Sequence, residues 1–72
     1  NYKFVGPVMM ALFPDGMVLR TENDFTRWHL FELVIIKLTR YAMNFKRGGH
    51  ADSLHDISVY AAMLAKADED VS

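Results

Sequence analysis

Residues 30–43 read LFELVIIKLTRYAM, and this segment determines the fold class. At about 100° per residue, apolar side chains cover three sides of the helix that it predicts, and only a thin strip with Glu32 and Thr39 is polar. A helix that is apolar on nearly all sides is normally buried. Because a chain of 72 residues is too short to bury such a helix, we expect partner subunits or a preceding helix to cover it.

A first helix is predicted before this segment, at about Tyr2–Phe13. The turn sequence Pro14-Asp15-Gly16 ends it, and Gly6-Pro7 predicts an irregular or kinked first turn. The following polar connection holds the apolar run Met17-Val18-Leu19. This run is either a strand fragment or a hydrophobic plug under the loop.

Two longer helices follow this connection. The second helix begins at Asp24, a good N-cap, or at Asn23, and continues to about Asn44. The third opens near His50–Asp52 and runs to about Ala67. The sequence therefore predicts an all-α subunit, a three-helix bundle with a long buried central helix that oligomerisation completes.

The composition excludes several classes of protein. The chain has no cysteine, so neither a disulfide nor a thiolate zinc site can stabilise it. Eight basic and nine acidic residues argue against a broad surface for duplex nucleic acid or an anionic membrane. A hydrophobic content of 51% is high for so short a chain, which favours a homo-oligomer over disorder or a monomer.

No segment has the pattern of a membrane anchor or a secretion signal. The apolar runs are far shorter than the ~18–20 residues of a transmembrane helix, and the first residues lack a signal-peptide layout. A cytoplasmic location is therefore expected. The chain begins at Asn1 without Met, so we interpret residues 1–72 as a single helical domain that lacks its natural N-terminal segment.

Four charged residues are predicted to point inward. Lys37 and Arg40 are three residues apart and share one face of the second helix, with apolar neighbours around Lys37. Asp52 and Asp56 are four residues apart on the third helix, and both fall on the face that is otherwise apolar. Buried charges must be compensated, so these side chains need each other or a ligand.

Two interpretations of these charges stay open. In the first, the four side chains form a structural ion-pair network that fixes the helix register. In that case Asp56→Ala costs about 3–5 kcal/mol, because it leaves a buried cation. In the second, paired carboxylates hold Mg²⁺ while Lys37 and Arg40 bind phosphate oxygens. The same substitution would then stabilise the metal-free protein, because repulsion from Asp52 is relieved.

Two further features carry a possible ligand-binding role. Lys46 and Arg47 lie in a basic loop before the third helix, where backbone N–H groups favour anions, although a C-cap with a solvated basic turn is the favoured interpretation. Trp28 is interpreted as an anchor for the preceding loop or for a partner surface rather than as a platform for base stacking.

Two motifs resemble a known protein family. Leu33-Val-Ile-Ile-Lys37-Leu-Thr-Arg40 is followed, after the basic loop, by Asp52-Ser-Leu-His-Asp56-Ile-Ser-Val-Tyr60-Ala61. This pattern resembles a small phage and prophage domain that is distantly similar to the all-α nucleoside triphosphate pyrophosphatases, the MazG-like and dimeric dUTPase-like group. The resemblance covers about residues 25–67.

The resemblance implies a helical oligomer that binds a nucleotide through Mg²⁺. It implies Asp52, Asp56 and Lys37 as catalytic residues, with Asp52, Asp56 and Glu32 as metal ligands. Phosphate binding would fall to the basic residues and one tyrosine: Lys37, Arg40, Lys46, Arg47 and Tyr60. The family holds its metal with an E-x-x-E pair and an E-x-x-D pair, whereas here Glu32 lacks a second acid and the aspartates are four apart.

Three functions are consistent with these observations. The first is a phage-encoded, Mg²⁺-dependent nucleotide pyrophosphatase in the cytoplasm of a bacterial host. The second is an oligomer that sequesters a nucleotide signal without turnover. The third is a protein-binding module, such as an inhibitor of a host protein, in which the inward charges are purely structural.

Overall fold

The computed structural model describes residues 2–71, and within them the chain forms three α-helices and no strand. These are α1 (Tyr2–Leu12), α2 (Glu22–Met43) and α3 (Ala51–Asp68), with a short 3₁₀ turn at Phe45–Arg47. The all-α, three-helix prediction is therefore confirmed. The prediction of a segment before Asn1 lies outside the described residues.

The first helix runs without a break through Pro7 and ends one residue before Phe13. Phe13 then packs against α2, with ring-centroid distances of 5.1 Å to Trp28 and 5.6 Å to Phe31. Trp28 therefore anchors the loop, as predicted. Residues 17–19 form no strand, and of these three only Leu19 is partly buried, so the strand interpretation is wrong.

The N-terminus of α2 is capped by Thr21, and not by Asp24 or Asn23 as the sequence predicted. The Thr21 hydroxyl accepts the backbone N–H of Asp24 at 2.9 Å, while the Asp24 carboxylate accepts the N–H of Thr21 at 3.1 Å. This is a capping box with Asp in place of the usual Glu or Gln. The helix consequently begins at Glu22.

A tight connection joins α2 to α3. Gly48 and Gly49 have positive φ angles, of 96° and 84°. Residues with a Cβ atom are strained at such angles, so the two glycines allow the chain to reverse direction here. His50 then caps α3: its Nδ1 atom accepts the N–H of Ser53 at 3.2 Å and lies 2.7 Å from the Ser53 hydroxyl. Ser53 is buried under this cap.

The three helices lie side by side in a single layer. α1 and α3 both pack antiparallel to α2. Within residues 2–71, α1 and α3 make no contact with each other. The α2 residues that face α1, such as Trp28 and Thr39, lie on nearly the opposite side from those that face α3, such as Arg27 and Lys37. The molecule is therefore flat, measuring 42 × 25 × 14 Å.

A single layer cannot enclose a core. Ile35 at 5% exposure is the one buried hydrophobic residue of the described chain. The solvent-accessible surface is 5557 Å², whereas a folded monomer of 8.3 kDa exposes about 4,600 Å². The central helix is thus half-buried in one chain. Among residues 2–71, none of the helices combines the length and apolar character that a bilayer crossing requires.

Candidate functional site

The contact between α2 and α3 contains one ion pair from the two predicted motifs. The Nζ atom of Lys37 lies 3.0 Å from Oδ2 of Asp56, and their side chains are 17% and 37% exposed. Lys37 has apolar neighbours on α2, and Asp56 contacts it from the second turn of α3. Of the four charged residues that were predicted to point inward, the structure thus brings Lys37 and Asp56 into contact.

The other two charges of the predicted network do not point inward. Asp52 and Arg40 are both exposed. Asp52 lies in the first turn of α3, rotated away from the stripe of Ser53, Tyr60 and Leu64 that packs on α2. The prediction of an inward Asp52 and Arg40 is therefore wrong, because it assumed an interface wider than the one the two helices form.

Asp52, Asp56, Arg40 and Lys37 nevertheless lie on the same side of the flat molecule. On α3, Asp52 and Asp56 continue the stripe of Val59, Met63 and Lys66, and on α2, Arg40 continues the stripe of Thr26 and Leu33. Thr26 lines one cavity together with Met63 and Lys66, so the two stripes belong to one side. We call this side the charged face, defined by Lys37, Arg40, Asp52 and Asp56.

A groove between α1 and α2 adjoins the charged face. Its volume is about 570 Å³, and it is lined by Tyr2, Val5, Gly6, Met9, Trp28, Glu32, Ile36, Thr39 and Arg40. Glu32 and Thr39 are half-buried here and do not form the solvent-facing strip that the sequence predicted. The groove combines an apolar floor with an aromatic ring, one carboxylate and one guanidinium, which suits a flat ligand with a charged end.

The remaining predicted phosphate ligands lie at different places. Lys46 and Arg47 are exposed in the 3₁₀ turn. Tyr60 is half-buried on the side of α3 that faces α2. The charged face therefore holds Lys37 and Arg40, while the basic turn lies beyond the end of α2.

The predicted metal ligands do not form a cluster in one chain. Residues 2–71 contain no group of three His, Cys, Asp or Glu side chains that could hold a metal ion. Glu32 lines the groove beside α1, Asp52 is exposed and Asp56 contacts Lys37. Since Mg²⁺ is commonly held by one or two carboxylates plus substrate phosphates, the two aspartates fit such an ion only when a phosphorylated ligand supplies further oxygens.

One carboxylate outside this face has a clearly shifted pKa. The backbone N–H of Arg20, 2.9 Å from the Asp24 carboxylate, and that of Thr21 hold the pKa of Asp24 below its usual value. These donors stabilise the charged form, so the shift is explained by helix capping.

Sequence reasoning missed two contacts that fix α3 against the start of α2. The Nε atom of Arg27 lies 2.7 Å from Oδ1 of Asp68, and the side-chain amide of Asn23 donates to the carbonyl of Ala67 at 3.1 Å. More than forty residues separate the partners in each pair. No local pattern in the sequence indicates such pairing.

Comparison with protein-family models, with curated proteins and with solved structures finds no match to the chain.

Proposed function

We propose that the chain is a phage-encoded, nucleotide-handling protein of the MazG-like type that binds phosphate groups on the charged face. The single observation that carries the proposal is the Lys37–Asp56 pair at 3.0 Å, formed between the K-x-x-R motif and the D-S-x-x-D motif. The pair is partly exposed, so a phosphate can compete with Asp56 for the Lys37 ammonium.

The neighbouring groups supply the rest of a nucleotide site. Arg40 is an exposed residue that lines the groove together with Trp28, and an arginine there can bind phosphate in a bidentate manner. The groove accepts a flat, largely apolar group such as a base, with Glu32 available to its polar edge. The protein would act as a homo-oligomer in the cytoplasm of a bacterial host.

Catalysis and sequestration are the two forms of this proposal. In the catalytic form, Mg²⁺ on Asp52 and Asp56 would supply charge neutralisation at the phosphates, and Glu32 would have to reach it from the groove or from another subunit. Sequestration needs the basic residues alone.

The test is a thermal-shift panel of nucleoside mono-, di- and triphosphates, with and without Mg²⁺. We expect at least one nucleotide to raise the melting temperature, and we expect Arg40→Gln to remove most of that shift. Release of pyrophosphate from the nucleotide that binds would select the catalytic form, whereas a shift without Mg²⁺ and without product would select sequestration.

The matched control is Lys66→Gln. Lys66 is an exposed cation of the same side and pairs only loosely with Glu69 at 3.8 Å. It lines a cavity with Thr26, which lies about 21 Å from Arg40 along α2. The nucleotide shift should survive this change. No shift with any nucleotide would contradict the proposal.

Binding of a host protein is the second candidate. Large apolar side chains exposed on α1, α2 and α3 favour it, among them Phe4, Phe25 and Met63. In this form the Lys37–Asp56 pair only fixes the helix register. Two results together would favour this candidate: the wild-type chain binds no nucleotide, and a folded Lys37→Met variant keeps its activity toward a host protein.

A further inference from the structure

The side of the molecule opposite the charged face carries no charge over most of its area. On α2 it follows the stripe Phe31, Ile35, Leu38 and Ala42, and on α3 the stripe Leu54, Ile57, Ala61 and Leu64. The two stripes belong to one side, because Phe31 and Leu64 line the same cavity.

The first helix extends this surface. Phe4 and Val8 line a cavity with Ala42, so α1 presents its uncharged stripe on that side as well. We call this side the apolar face, defined by Phe4, Val8, Leu38, Ala42, Leu54 and Ala61. Three of its large side chains remain substantially exposed: Phe4 at 53%, Leu38 at 46% and Leu54 at 49%.

We propose that the apolar face binds a second copy of this chain, face to face, about a two-fold axis that passes near Leu38. The area is sufficient for a stable dimer, because a layer of 42 by 25 Å offers about 1,000 Å² and a standard interface needs about 800 Å² from each partner. Two such layers also give the two-layer arrangement in which domains bury their apolar surface.

A second copy fits this surface better than a charged partner. One end of the apolar face is charged, because the cavity that Phe31 shares with Leu64 is also lined by Asp24, Arg27 and Asp68. The residues that define the face are uncharged, so the occupant of this part must present an equally flat and uncharged surface. The chain itself has one, and a two-fold axis matches that surface to itself. The central helix then crosses its own copy, and Ile35 and Leu38 become fully buried.

This inference specifies the oligomer of the proposed function but needs no ligand, so each can fail without the other. The experiment is sedimentation equilibrium of the wild-type chain, of Leu38→Asp and of Val59→Asp, without nucleotide. Leu38 and Val59 are exposed to a similar degree in one chain, but Val59 lies on the stripe of the charged face. We expect a dimer for the wild type and for Val59→Asp, and a monomer for Leu38→Asp.

A second measurement covers the case in which Leu38→Asp fails to fold. The chain has no cysteine, so Leu38→Cys and Val59→Cys each introduce a single thiol. A short bismaleimide should cross-link Leu38→Cys into a covalent dimer and leave Val59→Cys uncoupled. A monomeric wild type at about 100 µM, where standard interfaces are formed, would overturn the proposal, as would cross-linking of Val59→Cys alone. A wild-type chain that stays monomeric by itself but binds a different protein through the apolar face would also overturn the proposal and assign the face to that protein.

Discussion

Lys37 and Asp56 form a partly exposed ion pair between α2 and α3. Since Lys37 is 17% and Asp56 37% exposed, solvent screens the pair and the Lys37 ammonium can reach water when its partner is removed. We therefore expect Asp56→Ala to lower the free energy of unfolding by about 1–2 kcal/mol, less than the 3–5 kcal/mol of a fully buried pair. Urea unfolding followed by circular dichroism measures this difference.

The control for this prediction is the exposed pair of Lys66 and Glu69, 3.8 Å apart. Glu69→Ala should change the free energy of unfolding by less than about 0.5 kcal/mol. Lys37→Met and the double variant complete the cycle with Asp56→Ala and isolate the pair's own contribution. If Asp56→Ala stabilised the protein in metal-free buffer, repulsion from Asp52 would dominate, as the metal-site interpretation requires.

Asp24 makes the stability of the α2 N-terminus depend on pH. The backbone N–H groups of Arg20 and Thr21 lower the pKa of Asp24 in the folded state below its ordinary value of 3.8. A carboxylate with a lowered pKa stabilises the fold above its unfolded-state pKa, and this contribution is lost as the pH falls below about 3.8 through the folded-state pKa. Wild type should therefore lose stability more steeply than Asp24→Asn in this acid range.

The measurement is the urea midpoint of both proteins from well above to well below the ordinary carboxyl pKa of 3.8. Asp15→Asn is the matched control, because Asp15 is an exposed carboxylate of the preceding turn. Its midpoint should follow the wild-type curve. Parallel curves for Asp24→Asn and wild type would refute a role of this carboxylate in the acid dependence.

At the level of elements, the connection between α2 and α3 depends on Gly49 more than on Gly48. A Cβ atom at Gly49 would lie 2.5 Å from Cε2 of Tyr41, whereas one at Gly48 would meet nothing within 4 Å. Both residues have a positive φ, so Ala is strained at either position. We expect Gly48→Ala to cost about 1 kcal/mol and Gly49→Ala about 1–3 kcal/mol more, because the Tyr41 ring must move.

Thermal unfolding of both variants tests this difference directly. Gly48→Ala is the control, since it has the same backbone strain without the clash. Gly49→Ala with Tyr41→Leu should recover much of the added cost, because the smaller side chain leaves room for the new methyl group. Equal costs for the two alanine variants would show that the ring yields freely.

The attachment of α1 depends on Phe13. Its ring packs on Trp28 at 5.1 Å and on Phe31 at 5.6 Å, and α1 contacts no other helix of the described chain. Phe13→Ala should cost about 2 kcal/mol, since the residue is partly buried, and should shift the emission of Trp28 to longer wavelength as water reaches the indole.

Trp28 is the single tryptophan, so tryptophan fluorescence reports the surroundings of this one side chain. Phe45→Ala, which removes an exposed ring beyond the other end of α2, should leave the emission unchanged. Hydrogen exchange should also accelerate in α1 of Phe13→Ala and stay slow in the middle of α2. Unchanged emission in Phe13→Ala would show that other contacts hold α1.

The helices themselves were predictable because their signals are local. Periodicity and turn residues placed all three within a few residues, and the error at the start of α2 arose because Thr21, Asn23 and Asp24 are all good caps. The helical wheel also predicted that Lys37 and Asp56 point inward, and the structure shows them in contact. The wheel wrongly placed Glu32 and Thr39 in a solvent-facing strip. The packing of α1 against these residues is a tertiary contact, which the residue pattern of α2 alone does not contain.

At the scale of the whole molecule, the high apolar content of the sequence led to the prediction of a partner but did not predict the shape of the subunit. The 51% hydrophobic content is compatible with a closed three-helix bundle or with an open layer. The structure is the layer, 14 Å thick, because α1 and α3 pack on opposite sides of α2. The separation of the two faces follows from this arrangement, and so does the placement of Asp52 and Arg40 on the surface.

The same arrangement predicts that stability depends on protein concentration. If folding and pairing are coupled, a tenfold rise in concentration adds about 1.4 kcal/mol per dimer, and the melting temperature of two 72-residue chains should rise by about 5 °C. Differential scanning calorimetry between about 10 and 300 µM spans this effect for a complex of standard interface size. Leu38→Asp should melt lower and at a temperature independent of concentration, whereas Val59→Asp should follow the wild type. A wild-type melting temperature that does not change with concentration would mean that the layer is stable as a monomer and that its apolar face serves another partner.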